Sequence, residues 1–223
     1  MSTATRPATA THEASAMEGA VHVEHHPAPV RHPIWRPAIL FTILTTVVLG
    51  LAYPLFITGI AQLVFPHQAN GSLILKNGQV IGSELIGQSF TADKYFHPRP
   101  SAAGNGYDAT ASGGTNLAQS NAKLAARIQA DIDKLQQSNG GKPVPIDMVT
   151  TSASGLDPDI TPDNAEYQAS RVASARGISE DAVRKLVATH TKGRDLAVFG
   201  EPRINVLELN LALDELSPAQ PVK

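Results

Sequence analysis

An uncharged apolar stretch from Ala38 to Phe65 restricts this chain more than any other feature of its sequence. As a helix it would be roughly 42 Å long at about 1.5 Å per residue, which exceeds the roughly 30 Å hydrocarbon core of a bilayer. Trp35 and Arg36 precede it, as is typical of an anchor at the membrane interface. We therefore predict one transmembrane helix over residues 37–66, which tilts or protrudes from the bilayer.

The segments on either side of this helix differ in composition. Residues 1–36 are rich in Ala, Thr, Pro and His without apolar periodicity, which predicts a disordered tail. The tail contains four histidines that could bind a metal, but a plain solvated tail is favoured because no scaffold fixes their geometry: His22, His25, His26 and His32. Residues 67–223 are long enough for one soluble domain with its own core. The predicted fold class is therefore a mixed α+β domain anchored by a single N-terminal transmembrane helix.

The orientation of the helix follows from the basic residues at its two ends. Arg31 and Arg36 precede it, whereas only Lys76 follows closely. Because Lys and Arg concentrate on the cytoplasmic side, we predict a cytoplasmic tail and an extracytoplasmic, periplasmic domain. A cleaved signal peptide is disfavoured, since the apolar run is about twice the usual length of a signal.

Small or backbone-altering residues recur along one side of the predicted helix. Thr42, Thr46, Gly50, Pro54 and Thr58 are spaced four residues apart. Such a stripe favours close docking on a partner membrane protein, although Gly, Thr and Pro are also common in membrane helices generally. The proline removes one backbone hydrogen bond and should bend the helix.

Composition excludes several classes of function. The net charge is −2, with mixed signs along the soluble part, so nucleic acid is not an expected partner. The chain contains 0 cysteines, which excludes disulfides, thiolate metal sites and cysteine nucleophiles.

The first part of the soluble domain is predicted to contain a hairpin, a long loop and a helix. Asn77-Gly78 favours a tight turn between strands at Ser72–Lys76 and Gln79–Ser83. Residues 86–121 are dense in Gly, Pro, Ser and Asn but carry aromatic and charged residues, which indicates an ordered interaction loop. A helix capped by Ser120 or Asn121 should then continue to about Gln137.

The second part is predicted to be mainly helical. Residues 145–154 suit a short strand that leads into a turn at residues 155–158. Thr161-Pro162 should start a helix that ends at Gly177, and Ser179 should cap the next. Residues 205–213 alternate like a strand but begin with a cap-like Asn205–Glu208 pair, and we favour helix because Leu, Ala, Glu and Asp are poor strand formers. Residues 217–223 should form a frayed end.

No pattern of catalytic residues is recognisable in the sequence. His97 and His190 could act as bases, but neither G-x-S-x-G nor H-E-x-x-H accompanies them. Asp157, Asp159 and Asp163 could attract a cation, although their prolines and the adjacent helix start favour roles in a turn and a first helical turn. We therefore predict no catalytic residue and no metal site.

Three features remain as candidates for ligand binding. Residues 111–116 resemble a glycine-rich phosphate loop but lack the lysine of a P-loop. Gln168 and Arg171 lie three residues apart on one predicted helix face, where they could act jointly on a ligand or form a solvated face. Arg99 lies between two prolines, which suits either a fixed contact or a structural ion pair.

Several long motifs occur in an order that resembles one known family. They are YPLFITGIAQ, GSELIGQSF, YFHPRPSAAGNGYDATASGGTNL, DMVTTSASGLDPDITPDNAEYQASRVASARG and INVLELNLALDEL. This order, over residues 38–215, resembles the KdpC family, the C subunit of the Kdp potassium-transporting ATPase. The His-rich tail is longer than expected for this family.

The resemblance implies a non-catalytic subunit of a complex in the bacterial inner membrane that imports K⁺ at the expense of ATP. Its implied partners are a K⁺-selective channel-like subunit, a P-type ATPase subunit and a small accessory subunit. The family is described as a catalytic chaperone that raises the affinity of the ATPase subunit for ATP. If ATP binds here, the candidate contacts are Ser112, Gly113, Gly114, Asn116 and Gln168. An alternative is a stand-alone bitopic binding or sensor protein with an extracytoplasmic domain.

Overall fold

The computed structural model describes residues 33–216 of the chain. The predicted disordered tail up to residue 32, with the four histidines named above, and the predicted frayed end from residue 217 lie outside the described residues. The chain divides after Tyr53 into two compact units. Trp35 and Arg36, assigned to the tail above, already belong to the first helix.

Helix α1, Trp35–Val64, has a mean hydropathy of 2.1 and is long and apolar enough to cross a membrane. None of its most apolar residues is buried by the part of the chain that the structure describes. By length and composition it agrees with the predicted transmembrane helix, and it begins and ends two residues earlier than the predicted bounds.

A π-helical segment, Thr46–Ala52, interrupts α1 just before Pro54. Proline has no backbone N–H, so the usual hydrogen bond to the carbonyl four residues earlier cannot form there. The neighbouring Tyr53 N–H donates to the carbonyl of Val48, five residues back. The hydrogen bond missing at Pro54 is therefore accompanied by a wider helical turn, and the predicted bend stays a prediction.

A short helix and a hairpin follow α1. Helix α2 is Pro66–Ala69. Strands β1, Leu73–Lys76, and β2, Gln79–Ser83, pair antiparallel with an irregularity between Ile74 and Leu75. Asn77 and Gly78 join them with φ of 54° and 78°, as the turn chemistry requires, so the predicted hairpin is confirmed.

Four longer helices form most of the remaining regular secondary structure. They are α3, Ala122–Ser138; α4, Pro162–Arg176; α5, Glu180–His190; and α6, Val206–Leu216. The side chains of Asn121, Thr161 and Ser179 accept backbone hydrogen bonds at the starts of the first three. Gly177 ends α4 with φ of 65°. The sequence predictions for these starts and for that end are confirmed.

The core lies where α4, α5 and α6 pack on one another and on part of the long loop. Its fully buried side chains include Phe96, Val172, Val183, Leu209 and Leu213. Strand β3, Asp159–Ile160, pairs antiparallel with β4, Ile204–Asn205, beside this core. The mixed helix and sheet class is therefore confirmed.

The predicted strand at residues 145–154 is wrong. Ile146–Met148 instead form one 3₁₀ turn, because the carboxylate of Asp147 is buried against the start of α4. It accepts hydrogen bonds from the Thr161 N–H at 2.8 Å and from the Asn164 side chain at 2.9 Å. This anchoring fixes the segment in a conformation that strand propensity does not favour.

The ambiguous last element is a helix, as favoured above. The Asn205 side chain accepts a hydrogen bond from the Glu208 N–H at 3.1 Å and so caps α6. Asn205 itself still belongs to β4, which explains the strand-like start of the pattern.

Candidate functional site

The segment Asp93–His97 of the long loop is held in place by amide side chains from two helices. Gln168 of α4 accepts from the His97 N–H at 2.8 Å and donates to the His97 carbonyl at 3.0 Å. Asn210 of α6 does the same for Phe96, at 2.8 Å and 3.0 Å. Two consecutive residues of the loop are thus paired with side chains as if with a neighbouring strand.

Two arginines complete the attachment of this loop segment. Arg171 donates to the carbonyls of Asp93 at 2.6 Å and Tyr95 at 3.1 Å. Arg176 donates to the Lys94 carbonyl at 2.6 Å and pairs with Asp214 at 2.8 Å. The predicted order of this part of the loop is therefore confirmed, and its role in interactions stays a prediction.

A cavity of about 170 Å³ lies beside this attachment. Its lining comes from α3, α4, the 3₁₀ turn and the loop: His97, Leu135, Ser138, Asn139, Met148, Tyr167, Gln168, Ser170 and Arg171. The predicted pairing of Gln168 with Arg171 is present, since the guanidinium donates to the Gln168 carbonyl oxygen. The cavity therefore places two side-chain amides, those of Asn139 and Gln168, one imidazole and one guanidinium around a small space.

The polar atoms of Gln168 are already engaged within the protein. Its oxygen accepts from His97 and Arg171, and its nitrogen donates to the His97 carbonyl and, at 2.6 Å, to Asn164. The residue is buried. Its amide therefore orders the loop, and a ligand in the cavity would have to displace one of these bonds.

Burial lowers the pKa of two groups that line the cavity, His97 and Arg171. Burial, and then the charge of Arg171, lower the pKa of His97. Burial also lowers the pKa of Arg171. The His97 Nε2 lies 3.2 Å from the Ala92 carbonyl, so a neutral imidazole that donates there satisfies the geometry.

The glycine-rich candidate lies against another part of the domain. The Ser112 hydroxyl and the Gly113 N–H both donate to the Ser154 carbonyl, at 2.9 Å and 2.8 Å. Gly114 packs against the backbone of Ala153. Residues 112–116 are not among those that line the Gln168 cavity. The structure thus does not bring the two halves of the predicted nucleotide site into one cavity.

Arg99 of the long loop forms an ion pair with Asp157, with 2.7 Å between the guanidinium nitrogen and the carboxylate oxygen. Asp157 also accepts from the Asp159 N–H at 3.0 Å, and the Tyr107 hydroxyl donates to the Arg99 carbonyl at 2.6 Å. Burial, and then the charge of Asp157, raise the pKa of Asp159. Asp163 lies in the first turn of α4. These positions agree with the predicted turn and helix-start roles of the acidic residues.

A close approach between backbone segments explains why residue 155 is a glycine. Its φ is 66°, and a Cβ atom there would lie 2.7 Å from the Ala103 nitrogen and from the Gly113 carbonyl oxygen. The Ser101 hydroxyl donates to the Gly155 carbonyl at 2.6 Å. Three separate parts of the long loop and the following turn meet here, which only a glycine permits.

Residues 33–216 contain no group of three or more His, Cys, Asp or Glu that could hold a metal ion. Two histidines of the domain, His97 and His190, each face a backbone carbonyl, of Ala92 and of Leu186, whereas His67 lies 3.2 Å from the Glu84 carboxylate. The contacts of His97 and His190 are structural hydrogen bonds to the backbone.

Sequence reasoning missed Asn210 and Arg176 as residues that hold the loop. A signal for Asn210 was present, because it interrupts the apolar residues of the last helix on a buried face. Arg176 carried no such signal, since a basic residue in the last turn of a helix is common on solvated surfaces.

The described residues combine one apolar helix that is long enough to cross a membrane with a mixed α+β domain, an arrangement typical of membrane-anchored proteins of the single-span class. The family model KdpC, described as the c chain of the K⁺-transporting ATPase, matches residues 35–215. The chain therefore belongs to the KdpC family, as its motifs indicated.

Curated relatives cover nearly the same part of the chain. The potassium-transporting ATPase KdpC subunit of Koribacter versatilis is 60% identical over 181 residues, which are 81% of this chain and 94% of the relative. The corresponding subunit of Acidobacterium capsulatum is 58% identical over 181 residues, 81% of this chain and 97% of the relative. That of Bradyrhizobium diazoefficiens is 54% identical over 191 residues, 80% of this chain and 95% of the relative.

Proposed function

We propose that this chain is a non-catalytic subunit of a potassium-importing ATPase and that it stabilises the assembled complex. Membership of the KdpC family supports the transport system. The observation that carries the assembly role is α1, whose most apolar residues are not covered by any of residues 33–216. In a membrane complex, such a helix can dock on a larger subunit through its stripe of small residues.

The junction after α1 supports a role in positioning the domain. The side-chain amides of Gln62 and Asn70 exchange two hydrogen bonds, at 3.2 Å and 3.1 Å. Asn70 also donates to the Pro66 carbonyl at 2.6 Å, and His67 lies 3.2 Å from the carboxylate of Glu84. The end of the helix is thus fastened to the start of the domain, so docking of the helix would also orient the domain.

The proposed partners are the K⁺-selective channel-like subunit, the P-type ATPase subunit and the small accessory subunit of a bacterial inner-membrane complex. The basic residues before α1 favour a cytoplasmic N-terminus and a periplasmic domain. In that orientation the domain would lie near the entrance for K⁺. Exposed acids such as Asp108 could then bias the approach of cations, whereas Asp157 is neutralised by Arg99.

A catalytic-chaperone role, in which the subunit raises the affinity of the ATPase subunit for ATP, is the second proposal. The cavity with Gln168 and Arg171 is the place that favours it. One observation, and the periplasmic orientation proposed above, weigh against direct ATP contact. The amide of Gln168 and the N–H of Gly113 are already bonded within the protein, and ATP is scarce outside the inner membrane.

Co-purification from K⁺-starved cells tests the assembly role. A tag on this chain should capture two large polytopic subunits, and Gly50→Leu should lower their yield at least tenfold because the added side chain separates the helices. Ala52→Leu is the matched control, since it adds bulk on the opposite side of α1 and should leave the yield unchanged. A chain that purifies alone would refute the proposal and favour the stand-alone sensor.

Protease treatment of intact spheroplasts tests the orientation. A tag placed after Lys223 should be digested while a cytoplasmic control protein survives. Protection of the tag until the membrane is opened would refute the periplasmic placement and would favour direct ATP binding.

A further inference from the structure

Residues 192–203 form a small hairpin between α5 and β4, which we call the 192–203 hairpin. Lys192 and Arg203 exchange backbone hydrogen bonds at 2.8 Å and 3.0 Å. Asp195 and Phe199 exchange another pair at 2.8 Å and 2.9 Å. Only Leu196, Ala197 and Val198 lie between the second pair, so the projection ends in a three-residue loop.

The tip of this hairpin is both apolar and exposed. Leu196 is 84% exposed, Val198 is 70% exposed and Phe199 is 65% exposed. These three residues, the apolar tip, lie on a soluble domain and are outside α1. Three large apolar side chains together in water are unfavourable unless another surface covers them.

The backbone conformation of the three-residue loop at the end of this hairpin is also unfavourable for two of its residues. Leu196 and Ala197 have φ of 52° and 62°, a region that favours glycine and asparagine. The first hairpin of the same chain places Asn77 and Gly78 at comparable φ. Strained backbone of this kind persists where the surroundings fix it, commonly at sites of function.

The charges next to the tip are neutralised within the protein. Arg194 pairs with Glu201 at 2.7 Å, and Arg203 lies 3.4 Å from Asp195. Lys192 pairs with Glu208 of α6 at 3.0 Å. Anionic lipid headgroups are recognised by free Lys and Arg beside apolar residues, so this arrangement fits an uncharged protein surface better than a bilayer.

We propose that the apolar tip inserts into an uncharged, apolar pocket on another subunit of the same transport complex. This inference rests on the assembly role proposed above. It assigns a contact to the soluble domain, in addition to the docking of α1.

The area of the tip decides between this partner and a second copy of the chain. A buried aromatic side chain contributes about 150–250 Å², so three side chains of that size would bury about 450–750 Å², and Leu196 and Val198 are smaller than an aromatic residue. A stable interface between free proteins takes about 800 Å² from each partner. The tip alone is therefore too small to hold a free dimer, but it is sufficient to add a contact to a subunit already held nearby through the membrane helix.

Site-specific photocrosslinking in the full complex tests the proposal. The photoreactive residue p-benzoylphenylalanine replaces Leu196 in the full chain, which is co-expressed with the other subunits and irradiated. Ile146 is the matched control position, because it is 69% exposed and lies in a separate 3₁₀ turn. Position 196 should crosslink to one other subunit, identified by mass spectrometry, with at least fivefold higher yield than position 146.

A crosslink to a second copy of the chain, to lipid alone, or to no subunit above the yield of position 146 would overturn the inference. In these cases the co-purified subunits show that the proposed assembly role still stands. Failure of the subunits to co-purify at all would overturn both.

Substitutions supply a second measurement. Leu196→Asp should lower the amount of chain retained with its partners under stringent detergent washing at least fivefold, while its resistance to proteolysis stays unchanged because the side chain is exposed. Ala197→Gly keeps the side chain of Leu196 and relaxes the turn, so retention should be unchanged. Ile146→Asp should also have no effect. Equal retention of Leu196→Asp and the unsubstituted chain would contradict the proposal.

Discussion

Replacement of Asn210 by alanine should destabilise the domain more than its single side chain suggests. Asn210 is 1% exposed, and its amide satisfies both the N–H and the carbonyl of Phe96, which is itself fully buried. A buried backbone group left without a partner costs about 1–3 kcal/mol. Loss of both bonds should therefore lower the free energy of unfolding by about 2–6 kcal/mol, a large share of the roughly 5–15 kcal/mol of a typical domain.

Pulse proteolysis in urea on the full chain in detergent measures this loss. The matched control is Asn105→Ala, which removes an exposed amide from the same long loop and should change the free energy of unfolding by less than about 0.5 kcal/mol. Equal stability of Asn210→Ala and Asn105→Ala would refute the reasoning, because it would mean that the Phe96 backbone needs no partner.

Asn210→Asp separates hydrogen bonding from side-chain volume. It keeps an acceptor for the Phe96 N–H but, when ionised, places an oxygen against the Phe96 carbonyl. Burial should raise the pKa of the new carboxyl, so the folded state binds a proton more tightly than the unfolded state. The stability of this variant should therefore fall as pH rises above the ordinary range of an aspartate. The same proteolysis assay at several pH values tests this, and a pH-independent loss would contradict it.

Three further outcomes are expected. Gly155→Ala should lower the free energy of unfolding by about 2–5 kcal/mol, because its Cβ would be strained at positive φ and would overlap nearby backbone atoms. Gly78→Ala, which has positive φ but open space around it, should lower it by only about 1 kcal/mol. Equal losses of the two variants in urea titrations would contradict the close approach at Gly155. Because the pKa of Asp159 is raised above 3.8 in the folded state, its contribution to stability is lost as pH rises from 3.8 through the raised value. Asp159→Asn should therefore make the free energy of unfolding less dependent on pH over this range. An unchanged pH dependence in unfolding measurements would contradict this role of Asp159. Gln62→Leu should break the amide pair with Asn70 and speed cleavage of the junction after α1 in limited proteolysis, whereas unchanged cleavage would show that this pair does not hold the junction.

Local chemistry made much of the fold predictable. Thr161 before Pro162, Ser179 before two acidic residues, and Asn77-Gly78 each act through backbone groups only a few residues away, so their effects are visible in sequence. The strand predicted at residues 145–154 was wrong for the opposite reason. Its conformation depends on Asp147 reaching the start of α4, 14 residues further on.

The candidate site was only partly predictable. Gln168 and Arg171 share a helix face, so their adjacency followed from helical periodicity. Their actual partners, the backbone groups of Asp93, Tyr95 and His97, lie more than seventy positions earlier in the chain. A pairing over such a distance has no local signature, which is why the amide of Gln168 resembled a free ligand contact in the sequence alone.

The sequence by itself determined that this chain carries one apolar helix of membrane length, a capped helical domain and the motifs of the KdpC family, because length, periodicity and capping are local properties. Only the tertiary structure decided that Gln168 and Asn210 are bound to the loop backbone and that the apolar tip of the 192–203 hairpin is left uncovered. The physical reason is that burial and hydrogen-bond satisfaction depend on which distant segments meet, and a sequence pattern does not show where they do.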